Sequence, residues 1–313
     1  MIFILADSFL FAELNDHDFS AGVSLGLLSG KTKEIVYLNN VNKDKLSQLD
    51  WDIKPLIYVG LDLRYSWQKS ERNIGLFSNA LLKFGMPGKS GTMEDRDWFD
   101  SFNYSTYPDW LTHYSEHENK TRFAILADFD VGLSYRFKNS LKLNFFLSYS
   151  FMYFSWEALG GSYLYPDWFT IPSHYFSNPS EKVITYKQFW NILTPGVSFY
   201  GELNRLFNAE LSFKITPLIW LYSEDDHLNR PDVGVFYDWP RFGIFIEPGL
   251  LFNFEASKLV TLSLSYSYRF ITGSRGDESY YSYVSKQTET FLNAAGAAYS
   301  VHNIGITVRF NLF

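Results

Sequence analysis

The sequence predicts an all-β protein: a ten-stranded antiparallel transmembrane β-barrel with long extracellular loops and short periplasmic turns. Three observations predict it. Apolar and polar residues alternate strictly over long segments, the connections between those segments alternate in length, and aromatic residues are abundant. The clearest alternation runs from Lys258 to Phe270, where Val260, Leu262, Leu264, Tyr266, Tyr268 and Phe270 interleave with Thr261, Ser263, Ser265, Ser267 and Arg269. Successive side chains of a strand point to opposite faces, so this segment has one apolar and one polar face. Phe207 to Thr216 repeats the pattern, as do Ile304, Ile306, Val308, Phe310 and Leu312. In a soluble sandwich the apolar face would be the core; in an outer-membrane barrel it faces lipid.

Turn chemistry and alternation place strands near 9–33, 47–66, 73–87, 121–137, 140–164, 182–203, 206–222, 234–254, 258–278 and 294–313. The short connections are Gln68–Asn73, Lys138–Ser140, Asn204–Arg205 and Glu255–Ser257; the long ones span about 34–46, 88–120, 165–181, 223–233 and 279–293. Short turns at one end, long loops at the other and an even strand count suit a bacterial outer-membrane barrel. A sandwich has no reason to segregate its loops in this way. Strands of about 20 residues at about 3.3 Å each, tilted near 45°, rise about 45 Å, whereas the apolar band of such a barrel is only about 25 Å tall. The long-loop end therefore projects beyond the bilayer, and function is to be sought there.

Composition agrees. Aromatics make up 19% of the 313 residues, with 22 Tyr, 30 Phe and 9 Trp. Tyr and Trp collect where hydrocarbon meets water, and barrels carry two such girdles. No run approaches the 18 or so apolar residues of a membrane helix. The absence of cysteine excludes disulfides and thiolate metal sites. A net charge of −7 argues against nucleic acid as a partner and fits an acidic surface or a pocket for basic ligands. Met1 to Ala12 is apolar, lacks a basic start and contains Asp7, so residues 1–8 read as a signal remnant leading into a single barrel domain spanning 1–313.

Two long-loop segments carry candidate chemistry. In M-E-D-R-D-W-F-D, residues 93 to 100, Asp95 and Asp97 are two apart and share a face in an extended chain. Close carboxylates repel when both ionise, so one keeps its proton more firmly and the pair can take a proton from water. The structural alternative is a solvated acidic loop or an oxygen-ligand cation site. In S-E-D-D-H-L, residues 223 to 228, Asp225 and His227 have the same spacing, and a carboxylate that orients a histidine makes a general base. Strand parity carried unbroken from Phe207 to Ile215 would point this pair outward, so a bulge near Pro217 is required. Gly30-Lys31-Thr32 evokes a phosphate loop, but Leu25 stands where its first glycine belongs. Gly160-Gly161 reads as a bend where a long strand meets its loop.

With these residues in hand, the chain resembles the omptin family of outer-membrane endopeptidases. The matching words are S-G-K-T-K-E with V-Y-L (29–34, 36–38), L-S-Q-L-D-W (46–51), M-E-D-R-D-W (93–98), S-E-H (115–117), G-G-S-Y-L-Y (160–165), Y-K-Q (186–188) and S-E-D-D-H (223–227). They occur in family order and cover essentially the whole chain from about residue 20. The resemblance implies water activated between an acidic couple, Asp95 and Asp97, and a dyad of His227 and Asp225. Ser115 and His117 match supporting cleft positions.

The resemblance also implies cleavage beside basic residues through acidic specificity pockets. Glu34 matches one pocket acid; the second position holds Ser223, with Glu224 adjacent but of opposite parity. Family members bind lipopolysaccharide on charged outer positions and need it for activity. Here those positions hold Phe151, Tyr153 and Phe189, which implies weak lipopolysaccharide binding or a membrane without it.

The expectation is thus a monomeric outer-membrane endopeptidase facing outward, acting on polypeptides with Arg or Lys at the cut, embedded in outer-membrane lipid and requiring no metal or other cofactor. Its rival is an adhesin or host-protein-binding barrel with vestigial proteolysis. A passive pore is a third reading, opposed by inward charges such as Glu210, Lys214 and Arg269.

Overall fold

Alternating strands of this length hydrogen-bond into one continuous sheet. A computed structural model describes residues 16–38, 45–69, 72–98, 111–138, 140–167, 170–228 and 234–312, with the backbone alone over 165–175. The first strands are β1 (His17–Tyr37), β2 (Lys45–Trp67), β3 (Ile74–Gly85), β4 (Gly88–Asp97), β5 (His113–Lys138), β6 (Leu141–Asp167) and β7 (Thr170–Phe176). They are followed by β8 (Lys182–Glu202), β9 (Phe207–Thr216), β10 (Ile219–His227), β11 (Gly234–Arg241), β12 (Ile244–Glu255), β13 (Val260–Ser282) and β14 (Thr288–Asn311).

Pairing reduces these segments to ten staves. β3 and β4 share the neighbours β2 and β5 and are one interrupted stave. β9 and β10 both pair with β8 on one side and with β12 and β11 on the other, so each of those couples is also one stave. β7 is a flap on β6. The ring runs β1, β2, β3/β4, β5, β6, β8, β9/β10, β11/β12, β13, β14 and closes where β14 pairs with β1. Closure removes every sheet edge, which spanning a bilayer demands.

The expected strands are therefore present, but their upper ends were placed too low. Residues 88–97 and 113–120, expected as loop, are strand, as are 34–37, 223–227 and 279–282. The β7 flap was also expected as loop. The signal-remnant reading of residues 1–8 and the strand start at 9 fall outside the described residues.

The lower half of each stave points its apolar face away from the lumen. Val23 and Leu25 of β1, Leu61 and Leu63 of β2, Val131 and Leu133 of β5, and Leu264 and Ile306 near the closure are all exposed. In water such a belt would forfeit roughly 1.5–3 kcal/mol per side chain; against acyl chains it costs nothing. On β1 the last of these residues is Leu27, and Glu34 lies about 23 Å further along the strand at about 3.3 Å per residue. The upper part of the barrel therefore stands clear of the lipid band.

Several staves change parity between the two halves. β2 turns its inward set from Leu56 and Tyr58 to Leu49, Trp51 and Ile53 across Pro55. The β9/β10 stave does so at Pro217, and the β11/β12 stave at Phe242 and Gly243, both with positive φ. An extra residue in one strand flips all that follow to the other face, and proline is tolerated at such sites because it has no N–H to pair.

The lumen is filled. Below, Arg269 bridges Asp128 and Glu247 at 3.0 Å each, and Lys214 meets Asp130 at 3.3 Å. Asp128, Asp130, Lys214 and Glu247 line a cavity of about 190 Å³ together with Asp62, Arg64 and Lys83. Above lies a slab of rings: Trp51 stacks on Tyr186 at 5.2 Å and on Trp156 at 6.0 Å, and Phe154 stacks on Trp156 at 5.0 Å. All four are fully buried. A passive pore would need open space where these groups stand.

Candidate active site

β4 carries the acidic couple. Met93, Asp95 and Asp97 alternate with Glu94 and Arg96, and the odd-numbered set faces inward, with Asp95 and Asp97 at most 4% exposed. Asp95 lies directly across from Ser115 of β5, and Met93 across from His117. His117 Nε2 is 2.9 Å from Ser115 Oγ, while its Nδ1 contacts the Gly160 carbonyl oxygen. The ring packs edge-on to Tyr163 at 5.1 Å. That arrangement needs the glycine bend: Gly160 and Gly161 have φ of 53° and 105°, and a Cβ on Gly161 would strike Glu116 O and the His117 ring. The sequence reading of these glycines as a bend agrees.

β10 carries the dyad. The bulge required at Pro217 is present, with Thr216 and Ile219 both facing in across it. From Ile219 onward the odd residues Leu221, Ser223, Asp225 and His227 line the interior. His227 Nε2 lies 2.7 Å from Asp225 Oδ2, and Phe236 of β11 braces the imidazole edge-on at 5.5 Å. β4 and β10 are four staves apart one way around the ring and six the other, so the couple and the dyad look at each other across the opening.

Between them the floor is tied across the lumen. Thr32 of β1 donates from Oγ1 to Gln188 Oε1 of β8 at 2.8 Å, bridging diametrically opposed staves. Gln188 Nε2 donates to the Tyr186 hydroxyl at 2.7 Å, and Trp190 Nε1 donates to Gln188 Oε1 at 3.1 Å.

One side of the opening is strongly acidic. Glu34 of β1, Asp238 of β11 and Glu278 of β13 are all buried beside Asp225. Burial pushes the Glu34 carboxyl well above its ordinary range, and the charges of Asp225, Asp238 and Glu278 add to the effect. Asp238 rises to about 7 through burial, with the Asp225 charge adding while hydrogen bonds from Ser223 and Glu34 pull it back. Glu278 rises to about 8 through burial and then the charges of Asp238 and Asp225. The Glu34 and Asp238 carboxyls are close enough to act on each other's proton affinity.

Of the residues expected from sequence, Asp95, Asp97, Ser115, His117, Asp225, His227, Glu34 and Ser223 all face the interior at this end. The exception is Glu224. Parity turns it to the outer wall, where it pairs with Lys187 at 2.7 Å, so its place among the pocket candidates is corrected. The Asp pair and the Asp–His pair stand on strands rather than loops. Asp238, Glu278, Tyr186 and Gln188 had no assigned role in the sequence reading. Only cross-strand register brings Asp238 and Glu278 to the site, and no local motif encodes register. Phe151, Tyr153 and Phe189 lie on the outer wall side of β6 and β8, where Tyr153 and Phe189 pack at 4.4 Å and extend to Phe123 and Tyr222.

Comparison with known proteins follows the same lines. The Omptin family model matches residues 15–312. The outer membrane protease IcsP of Shigella flexneri is 28% identical over 304 residues, covering 90% of this chain and 86% of the relative. The plasminogen activator of Yersinia pestis is 29% identical over 227 residues, 72% of this chain and 68% of the relative. Protease 7 of Escherichia coli K12 is 26% identical over 289 residues, 89% and 86% of the two chains. The crystal structure of the outer membrane protease OmpT from Escherichia coli superposes with a TM-score of 0.83 at 21% identity, covering 94% of this chain and 97% of that one, and shows the same barrel fold. The chain therefore belongs to the omptin family of outer-membrane β-barrel proteases.

Proposed function

We propose that this protein is an outer-membrane endopeptidase that hydrolyses polypeptides outside the cell beside Arg or Lys, by direct attack of water. The observation that carries the reading is the opposition of two inward, buried pairs: Asp95 and Asp97 on β4 against Asp225 and His227 on β10. With Nε2 donating to Asp225, the imidazole keeps Nδ1 as the nitrogen that takes a proton. Water held between the pairs gives that proton to His227 as its oxygen bonds to the scissile carbonyl carbon. The C–N bond then breaks, and the proton passes to the departing amine. The acidic couple orients the water and holds its second hydrogen. No covalent intermediate forms. Long connections belong to the outer side of such barrels, which supports an opening outside the cell, and the acidic wall supports attraction of a basic side chain.

The outer wall supports a second element of the proposal, that lipopolysaccharide is not a required activator. The expected contact positions hold Phe151, Tyr153 and Phe189, none of them charged; Tyr153 and Phe189 join Phe123 and Tyr222 in an aromatic stripe, and the lysine beside it, Lys187, is already paired with Glu224. The test is cleavage of a peptide library by the refolded barrel with and without lipopolysaccharide. Cuts should concentrate at Arg and Lys, at rates that change less than about threefold on adding the lipid. Cuts indifferent to charge would sink the specificity, and absence of turnover in both conditions would favour an adhesin.

A further inference from the structure

The family resemblance leaves a gap in the pocket, because Ser223 stands where a second acid is expected. Cross-strand register fills it from the side. Gln188 of β8 pairs with Ser223 of β10, Ser223 with Asp238 of β11, and Asp238 with Glu278 of β13. These residues form one row across four staves, and directly paired side chains in such a row are separated by about 5 Å. Ser223 Oγ donates to Asp238 Oδ2 at 2.9 Å, so the hydroxyl holds the neighbouring carboxylate beside position 223.

We propose that Asp238 and Glu278, together with Glu34, select the basic side chain beside the scissile bond, the acid having moved one and two strands sideways from position 223. Glu34 Oε2, Asp238 Oδ1 and Glu278 Oε2 are each buried without a hydrogen-bond partner. Three such acceptors close together are stabilised by a ligand with several donors and positive charge, which describes guanidinium or ammonium. The titratable groups facing this space are Glu34 from β1, Tyr186 from β8, Asp225 from β10, Asp238 from β11 and Glu278 from β13, with no lysine or arginine among the charges acting on the three acids. Without substrate the acids share protons; a bound cation displaces them.

The inference rests on the proteolytic reading, and the test separates the two. The measured quantity is the ratio of kcat/KM for an arginine peptide to that for its citrulline counterpart, which has nearly the same shape and no charge. In Asp238→Asn the ratio should fall about 30-fold or more, the scale expected when one partner of a buried charged contact is removed. Glu278→Gln should lower it less. Because a carboxylate variant can misfold, the exchange Ser223→Asp with Asp238→Ser serves as the second variant. It should keep the ratio within a few-fold of the parent.

In the parent protein the ratio should rise as pH passes through about 7 to 8, where Asp238 and Glu278 lose their protons. A folded Asp238→Asn protein with an unchanged ratio would overturn the proposal, as would a folded exchange variant whose ratio collapses or a parent ratio flat across that pH span. If the parent cuts no arginine peptide at all, the proteolytic reading itself fails.

Discussion

Asp95→Asn and His227→Ala should each lower kcat for an arginine-containing peptide by about 10²- to 10⁴-fold, the usual contribution of a positioned acid or base. KM should change by much less, because neither residue is among the carboxylates that face the basic side chain. The two losses should not multiply. In the proposed mechanism both groups act on one water, so the Asp95→Asn/His227→Ala double variant should be close to the worse single variant. Asp225→Asn should give an intermediate loss, since the imidazole stays but its orientation and charge stabilisation weaken. The measurement is initial-rate kinetics on refolded protein in detergent, with heat-modifiable gel migration as the check on folding. Wild-type turnover in either single variant would exclude water activation between the two pairs.

The second large effect concerns stability. Arg269→Ala should cost about 3–5 kcal/mol of unfolding free energy, because removing one member of a buried ion cluster strands the rest. Arg269 is buried and binds Asp128 and Glu247 at 3.0 Å. Without it, two carboxylates face a lumen in which Lys214 is already held by Asp130 and Ser148. Neutralising all three, with Arg269→Gln, Asp128→Asn and Glu247→Gln together, should recover part of the loss, since the stranded carboxylates are gone while buried Lys83 loses the acids that face it. Urea midpoints in micelles measure both variants. A loss under about 1 kcal/mol for Arg269→Ala would mean that water entering the lumen hydrates the stranded acids.

The barrel was legible wherever one face of a strand meets lipid. Leu262, Leu264 and Tyr266 against Ser263 and Ser265 leave little choice of period, and ten staves follow from ten such runs. Above the lipid band polar and apolar residues stand on both faces, and the signal fades. Glu94 and Arg96 face out while Asp95 and Asp97 face in, so the strand through them reads as a charged loop. The dyad's orientation was still recoverable, because Pro217 marks the one place where parity can change without losing a ladder bond. The acids at 238 and 278 were not recoverable. Asp238 sits in Tyr-Asp-Trp and Glu278 in Asp-Glu-Ser, neither with local chemistry to mark it, and their meaning arises only when three strands align.

The ring slab and the Thr32–Gln188 tie carry one further consequence, for the cell that displays this protein. A cylinder stoppered in its middle should conduct neither ions nor small solutes, which single-channel recording would check, so the permeability barrier would be indifferent to how many copies it holds. With the proposed site above the stopper, fragments would leave on the side of the long connections rather than through the barrel.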